Sequence, residues 1–265
     1  MEELYEKADA LFELENYTDC YNLLVDIEEC HQVADVYWRL ARCLYYKNHS
    51  EEKRPSKSQL KLVLTDIHRY AKTGVELDPK NSNCCVWYGI GVDELAGLDG
   101  VHERLKHSPV SHYYWTKAIE LDPNNFLAHS ELGIWYFIVS DVSEVIRKFE
   151  TVFYTSPPIA TYEESLASLL RCEELCPRHL IRNMLYLAKC YKALGQYDES
   201  LAFCKLVIEY QGSGYDVEEL LLLVSRTTHT ASTSKRRKPF SANSSVSRQR
   251  LKQLQAIGQN ESHMH

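Results

Sequence analysis

The side chains of this 265-residue chain that could do chemistry are mainly basic and aromatic, and they suit binding better than catalysis. Cys172-x3-Cys176 and the adjacent pair Cys84-Cys85 lack a second ligand pair at the spacing of a zinc site. The sequence contains no glycine-rich phosphate loop and no recognisable set of nucleophile, base and orienting group. We therefore expect no metal, no cofactor and no enzymatic activity, and we interpret the nine cysteines as reduced thiols that fill the core.

The basic residues concentrate at the C-terminal end of an otherwise acidic chain. The formal net charge is −7, yet residues 225–265 hold eight Lys or Arg against Glu261 alone, which gives +7 there and leaves −14 for residues 1–224. Such asymmetry suggests that this segment contacts an anionic partner or folds back onto the body. Apolar periodicity is nearly lost after Arg226, so we expect residues 226–265 to be a disordered, basic, Ser-rich tail. The residues predicted to make electrostatic contacts there are Lys235, Arg236, Arg237, Lys238, Arg248, Arg250 and Lys252.

Helical repeats must position the remaining candidate residues. The stretch 181–211 matches the tetratricopeptide (TPR) pattern, a repeat of about 34 residues built from two antiparallel helices. Ala188 supplies the small residue where the two helices meet, and Leu194-Gly195-Gln196-Tyr197 supplies the turn. Residues 1–33 fit the same pattern, and Ala34 begins a second repeat. VELDPKN (75–81) and IELDPNN (119–125) are nearly the same phrase, which is internal evidence of repetition.

The repeats are interrupted in several places. We expect a long loop over 47–57 before a helix over 58–77, and a second interruption that ends at Ser108-Pro109, where a new helix would start. The fourth pair spans 126–157, and the capping box Thr161-x-x-Glu164 begins an extra helix that Pro177 ends. The predicted fold is all-α: a TPR-like, right-handed solenoid of helical hairpins over 1–225 with one inserted helix, followed by the tail 226–265.

Several phrases of the sequence resemble the regulator of microtubule dynamics family. They are Tyr37-Trp38-Arg39-Leu40-Ala41-Arg42, Leu132-Gly133-Ile134-Trp135-Tyr136-Phe137, Pro157-Pro158-x-Ala160-Thr161-Tyr162-Glu163-Glu164-Ser165-Leu166 and the segment 183–191. The resemblance implies a non-enzymatic, TPR-like protein that associates with microtubules and takes part in spindle behaviour and chromosome segregation. It also implies a place in the cytoplasm on microtubules, the spindle and spindle poles. Some family members carry an N-terminal membrane anchor; because the first repeat begins at residue 1, we expect none here.

The first helices of a TPR protein usually line a concave groove that accepts a peptide or another helix. Projecting the repeat pattern onto this sequence places seven residues in the groove: Arg39, Arg42, Tyr45, Tyr88, Arg182, Lys189 and Lys192. Their charge predicts an anionic or acidic-peptide ligand. The alternative is that the cations pair with neighbouring carboxylates of the protein itself. The four tryptophans are predicted to be core residues rather than ligand platforms.

The basic tail leaves three interpretations open. It could contact the acidic tails of tubulin, which would make tubulin or microtubules the partner. Lys235-Arg236-Arg237-Lys238-Pro239 could instead be a nuclear import signal or a nucleic-acid contact, or the tail could be an unspecific linker. The alternative function is a TPR adaptor that binds an acidic peptide segment of another, non-microtubule protein.

Overall fold

The computed structural model describes residues 1–141, 159–215 and 217–224, and the regular elements within those ranges are all α-helices. The chain divides into two compact units, Met1–Trp135 and Tyr136–His265. The first unit contains α1 (Glu2–Glu13), α2 (Tyr17–Cys30), α3 (Ala34–His49), α4 (Lys57–Leu77), α5 (Ser82–Gly97), α6 (Val101–Leu121) and the start of α7 (Phe126–Asp141). The second continues with α8 (Tyr162–Leu175), α9 (Ile181–Ala193), α10 (Tyr197–Ile208) and α11 (217–224). Successive helices pack as α1–α2, α3–α4, α5–α6 and α9–α10, which confirms the predicted TPR-like hairpins.

The local signals in the sequence determine most helix ends correctly. The second repeat begins at Ala34 as predicted, and the inserted helix α8 begins after Thr161. Thr161 Oγ1 accepts a hydrogen bond from the Glu164 amide at 3.2 Å, and the Glu164 carboxylate accepts one from the Thr161 amide at 2.9 Å. The loop predicted over 47–57 is shorter than expected, because α3 continues to His49 and α4 starts at Lys57. The predicted second helix of the fourth pair, within 142–158, lies outside the described residues.

The two repeated phrases make the same backbone contacts. Asp78 and Asp122 each accept a hydrogen bond from the amide two residues further along, at 2.9 and 3.0 Å. Asn81 and Asn125 each accept one from the amide three residues further along, at 3.1 Å. Each phrase therefore ends one helix and caps the next, which explains why the sequence repeats there.

The prediction that a helix starts at Ser108-Pro109 is wrong, because both residues lie inside α6, which begins at Val101. Proline has no amide hydrogen and so cannot donate to the carbonyl of Leu105, four residues earlier. The Ser108 hydroxyl donates to that carbonyl instead, at 2.8 Å in a buried position. The serine thus replaces the backbone bond that the proline removes, and the helix passes through.

A buried ion pair attaches the first turns of α6 to α5. Arg104 Nε donates to Asp93 Oδ1 at 2.8 Å, and its Nη2 donates to the other carboxylate oxygen. The Asp93 side chain is only 5% exposed, so its charge depends mainly on Arg104 for compensation. The predicted interruption is therefore helical from Val101 onward and is attached to α5 by a contact between residues 11 positions apart, which local sequence patterns do not indicate.

The first and last regular hairpins use the same turn with different residues. Glu15 has a φ of 56° at the position where Gly195 has a φ of 75°. In both turns the next amide donates to a carbonyl five residues back, at 2.9 and 2.8 Å. A residue with a Cβ is strained in this left-handed backbone conformation, whereas glycine adopts it freely.

Helices α5 and α6 approach each other closely where Trp115 lies against Gly89. Trp115 is 1% exposed, and its Nε1 donates to the Val86 carbonyl at 3.3 Å. A Cβ added at Gly89 would lie 2.5 Å from Trp115 Nε1, well inside van der Waals contact. The indole can keep its buried position only because residue 89 has no side chain.

Replacing Glu15 with glycine is expected to stabilise the protein by about 1 kcal/mol, because it removes the strain of a left-handed residue. The thermal unfolding midpoint, followed by circular dichroism, should rise by roughly 2–4 °C for a chain of this size. The control is Gly195→Ala, which introduces the same strain at the matching turn and should lower the midpoint. A lowered midpoint for Glu15→Gly would contradict the assignment of strain to this turn.

Substituting Gly89 by alanine is expected to destabilise the protein by about 1–3 kcal/mol, because the added methyl group displaces Trp115. Chemical denaturation followed by tryptophan fluorescence measures the change. Gly97→Ala is the matched control at the end of the same helix, since its added Cβ would have no neighbour nearer than 3.8 Å. Equal effects of the two substitutions would show that helix propensity, and not the contact with Trp115, decides the outcome.

Candidate functional site

Basic and aromatic side chains gather at two places, one in each unit. We call the first the arginine cluster: Arg39 and Arg42 of α3 with Asp9, Tyr5 and Phe12 of α1 and with Asp35 and Trp38 of α3. We call the second the lysine site: Lys189 and Tyr186 of α9 with Phe137 and Asp141 of α7 and Tyr162 of α8. Both contain residues that the sequence predicts for the groove.

In the arginine cluster, two guanidinium groups converge on the Asp9 carboxylate. Arg39 donates to it from Nε at 3.1 Å and from Nη2 at 2.8 Å, and Arg42 donates to it through Nη2. Arg39 Nη1 also lies 3.6 Å from the Asp35 carboxylate. Burial by itself would raise the pKa of Asp9, but hydrogen bonds and charge from the two arginines hold it below the usual value. Two cations and two carboxylates leave the cluster balanced in charge.

Aromatic rings complete the fixation of both arginines. The Arg39 guanidinium lies 4.5 Å from the Tyr5 ring centre and 4.3 Å from that of Trp38. Arg42 lies 3.9 Å from the ring centre of Phe12. The two arginine side chains are only 12% and 16% exposed. For these two residues the pairing with the protein's own carboxylates, which the sequence leaves as an alternative, is present.

Tyr45 and Tyr88 are each surrounded by other rings. The Tyr45 ring stacks on His49 with centres 3.9 Å apart and meets Trp87 edge-on at 5.6 Å. The Tyr88 ring meets Tyr114 edge-on at 4.6 Å. All four tryptophans are buried, as predicted, with exposures from 1% to 7%.

The lysine site rests on three rings from three helices. The Phe137 centre lies 5.5 Å from that of Tyr162 and 5.3 Å from that of Tyr186. Lys189 Nζ lies 4.4 Å from the Tyr186 ring centre and 5.8 Å from that of Phe137. The side chain is half-buried, and among the described residues no carboxylate lies within ion-pair distance of its ammonium group.

The carboxylate of the lysine site, that of Asp141, is hydrogen-bonded to a tyrosine hydroxyl and makes no ion pair with Lys189. Asp141 accepts a hydrogen bond from the Tyr162 hydroxyl at 3.0 Å. Burial lowers the pKa of Lys189, the Asp141 charge opposes that shift, and the Arg182 charge adds to it. Arg182 and Lys192, the other two predicted cations, lie half-buried on the same helix, and each makes further contacts within the protein.

Sequence reasoning missed Asp9, although the repeats contain a signal that could have found it. Asp9, Arg42 and Lys189 each follow the small residue of their repeat, namely Ala8, Ala41 and Ala188. They therefore occupy the same repeat position on three first helices, α1, α3 and α9. Tyr162 has no such signal, because the inserted helix α8 has no counterpart in the other repeats.

Several expectations are answered only within the described residues. No helix there has the length and apolar character needed to cross a membrane. Seven of the nine cysteines are buried and all are free thiols. In the ranges 1–141, 159–215 and 217–224 no three His, Cys, Asp or Glu side chains come together as a metal would require. The tail cations from Lys235 to Lys252 lie outside these ranges, and their contacts stay a prediction.

Comparison with known proteins identifies related sequences and a related fold. A family model described as "Regulator of microtubule dynamics protein 1-3" matches residues 4–226. Regulator of microtubule dynamics protein 1 of Bos taurus is 29% identical over 197 residues, which is 73% of this chain and 60% of that protein. Regulator of microtubule dynamics protein 3 of Bos taurus is 33% identical over 175 residues, covering 66% of this chain and 36% of that protein.

The match to solved structures concerns the fold alone. A thermophilic TPR protein from Thermus thermophilus superimposes with a TM-score of 0.55 at 17% identity, covering 85% of this chain and 97% of that chain. The curated relatives are longer: the chain spans 60% to 63% of the length of the first three that it matches.

Changing Asp9 to asparagine is expected to destabilise the first unit by about 1–2 kcal/mol. This is less than the cost of breaking a fully buried pair, because the Asp9 side chain is 35% exposed. The loss arises because two half-buried guanidinium groups keep their charge without a carboxylate between them. Urea denaturation at neutral pH measures it, with Glu13→Gln at an exposed position of α1 as the control, which should stay within about 0.5 kcal/mol of the native chain.

The same substitution has an expected pH signature. A carboxylate whose folded pKa is lowered stabilises the protein fully above its unfolded pKa, about 3.9, and that contribution is lost as the pH falls through the folded value. The destabilisation caused by Asp9→Asn should therefore shrink as the pH is lowered below about 4. A difference that stays constant down to low pH would show that the charge of Asp9 does not matter.

Proposed function

Since this chain belongs to the regulator of microtubule dynamics family, we propose that it is a non-enzymatic, microtubule-associated regulator that acts by binding other proteins through its TPR-like repeats. The observation that carries the proposal is the family match over residues 4–226, which covers the described helices except the first two residues of α1. Because the chain spans only about 60% of the length of the first matched relatives, the activity of those whole proteins is itself part of the proposal.

The distribution of charge supports different roles for the repeat domain and the basic tail. The repeat domain, residues 1–225, supplies specificity through the predicted groove residues Arg39, Arg42, Tyr45, Tyr88, Arg182, Lys189 and Lys192. Because Asp9 already pairs with Arg39 and Arg42, these two arginines help to shape the groove, and Lys189 is the better candidate to contact an anionic group. The tail, residues 226–265, adds attraction to the acidic tails of tubulin through its excess of positive charge. The protein would then act in the cytoplasm on microtubules, including the spindle and its poles.

The environment of the buried thiols supports the non-enzymatic part of the proposal. Burial raises the pKa of Cys190 and of Cys204 to about 11, with smaller opposing contributions from neighbouring polar and charged groups. Both thiols are therefore protonated at neutral pH and poorly suited to act as nucleophiles. Ser165 makes a hydrogen bond with Cys190 at 3.0 Å, and because both residues are buried between packed helices, this contact holds the helices together.

Co-sedimentation with polymerised tubulin tests the proposal. The full chain is expected to pellet with microtubules at low ionic strength and to be released as salt is added, because exposed charges are screened. A variant with the seven tail cations changed to glutamine should bind more weakly and with a shallower salt dependence. Microtubules from which the acidic tubulin tails have been removed should bind the native chain no better than they bind this variant.

The outcomes separate the proposal from its alternative. If the native chain does not pellet even at low salt, it is not a microtubule-binding protein, and an adaptor for a different partner becomes the better interpretation. If the tail variant pellets as well as the native chain, the repeat domain alone is responsible. In that case the sequence Lys235-Arg236-Arg237-Lys238-Pro239 has to be tested separately as an import signal.

A further inference from the structure

Within the part of the chain that the structure describes, the Lys189 ammonium group of the lysine site donates no hydrogen bond. An ammonium group has three donors and no acceptor, and a half-buried ammonium loses part of its hydration without compensation unless a partner is close. Among the described residues, the faces of Tyr186 and Phe137 are what Lys189 Nζ contacts. A ring face attracts a cation but accepts no strong hydrogen bond, so the donors remain available to a ligand.

The arginine cluster contains a cation at the equivalent repeat position, and there the group that accepts its hydrogen bonds is a carboxylate. Arg42 occupies the same repeat position as Lys189, and it too lies over an aromatic ring, that of Phe12. There the carboxylate of Asp9 accepts the hydrogen bonds of the cation. The preceding first helix, α7, has Ile134 at this repeat position, so no side chain at that position can play the part of Asp9 for Lys189.

The charges around the lysine site favour a single carboxylate over a phosphate group. Asp141 is close enough to act on Lys189 electrostatically, although it lies beyond ion-pair distance and is bound by Tyr162. Arg182 also acts on Lys189, so two cations and one carboxylate leave the site with a single net positive charge, which a doubly charged phosphate would exceed. A singly charged carboxylate matches this net charge, and glutamate or aspartate provides it on a flexible stem.

The aromatic rings beside Lys189 indicate which kind of side chain lies next to the carboxylate in the bound ligand. Phe137, Tyr162 and Tyr186 form one aromatic cluster contributed by α7, α8 and α9. Phe137 is 9% exposed, while Tyr162 and Tyr186 are partly exposed and so can contact a ligand. A flat apolar side chain next to the carboxylate would pack on these rings as aromatic pairs do.

From this arrangement we infer that the lysine site is a docking position for an acidic peptide segment, whose carboxylate pairs with Lys189 while an adjacent aromatic side chain packs on Tyr186 and Tyr162. The inference rests on the proposed function for its statement that the occupant is a protein. It goes beyond that function by assigning the carboxylate to Lys189 and not to Arg39 or Arg42, whose carboxylate is already supplied by Asp9.

Calorimetric titration of the full chain with a short synthetic peptide of glutamates around one tyrosine tests the inference. Lys189→Met keeps the length of the side chain and removes the ammonium, and it should weaken binding about tenfold, which corresponds to about 1.4 kcal/mol. Lys205→Met, at an exposed position of α10 in the same unit, is the matched control and should change the affinity by less than about twofold. Replacing the tyrosine of the peptide by serine should weaken binding to the native chain about fivefold, a comparison that requires no variant protein.

The result that overturns the inference is equal binding of the peptide by the native chain and Lys189→Met, or no binding by the native chain. Circular dichroism of both lysine variants checks that they fold, since removal of a half-buried ammonium is expected to leave the midpoint unchanged or raise it. Co-sedimentation with microtubules is scored separately. If the peptide binds at Lys189 but the chain does not bind microtubules, only the proposed function is refuted. If Lys189→Met still binds both microtubules and the peptide as well as the native chain does, only this inference is refuted.

Discussion

The hairpins depend on one close approach, the point where the first helix of a repeat crosses the second. A small residue is needed there, and Ala8 and Ala188 are both fully buried. At that point the partner helix donates a side-chain hydrogen bond to the alanine carbonyl, from Cys20 Sγ at 3.2 Å in the first hairpin and from Ser200 Oγ at 2.8 Å in the last regular one. The residue after the small one then has its place set by packing, and this is how Asp9, Arg42 and Lys189 come to share one position.

Features of the fold that depend on residues close together in the sequence could be predicted, and features that depend on contacts between distant residues could not. Helix ends that depend on residues two or three apart, such as the capping box at Thr161 and Glu164, were predictable because the chain makes those contacts locally. Ser108-Pro109 was not, because the same pair is compatible with a helix start and with a helix interior. In the structure the Ser108 hydroxyl replaces the missing backbone bond, and the preceding turns of the helix pack on α5 through Arg104 and Asp93.

The same limit applies to the candidate site. The repeat pattern could place Arg39, Arg42 and Lys189 on first helices, since periodicity determines the face of a helix. It could not say which cation already has a carboxylate, because Asp9 reaches the arginines from a different helix, and because the inserted helix α8 supplies a ring at Tyr162 that no repeat pattern contains. Cations that look equivalent in the sequence thus differ in the one property that matters for a ligand, which is whether their charge is compensated.

The buried thiols at the helix crossings make local opening of the hairpins measurable. Cys20 and Cys204 are both almost completely inaccessible, one in the first hairpin and the other in the last regular one. A thiol reagent can modify either of them only during moments when its hairpin opens, so the rate of modification reports the free energy of that local opening. Because the chain has seven other free thiols, peptide mass analysis has to identify which cysteine is modified; the two ends of the repeat array can then be followed separately in the native chain.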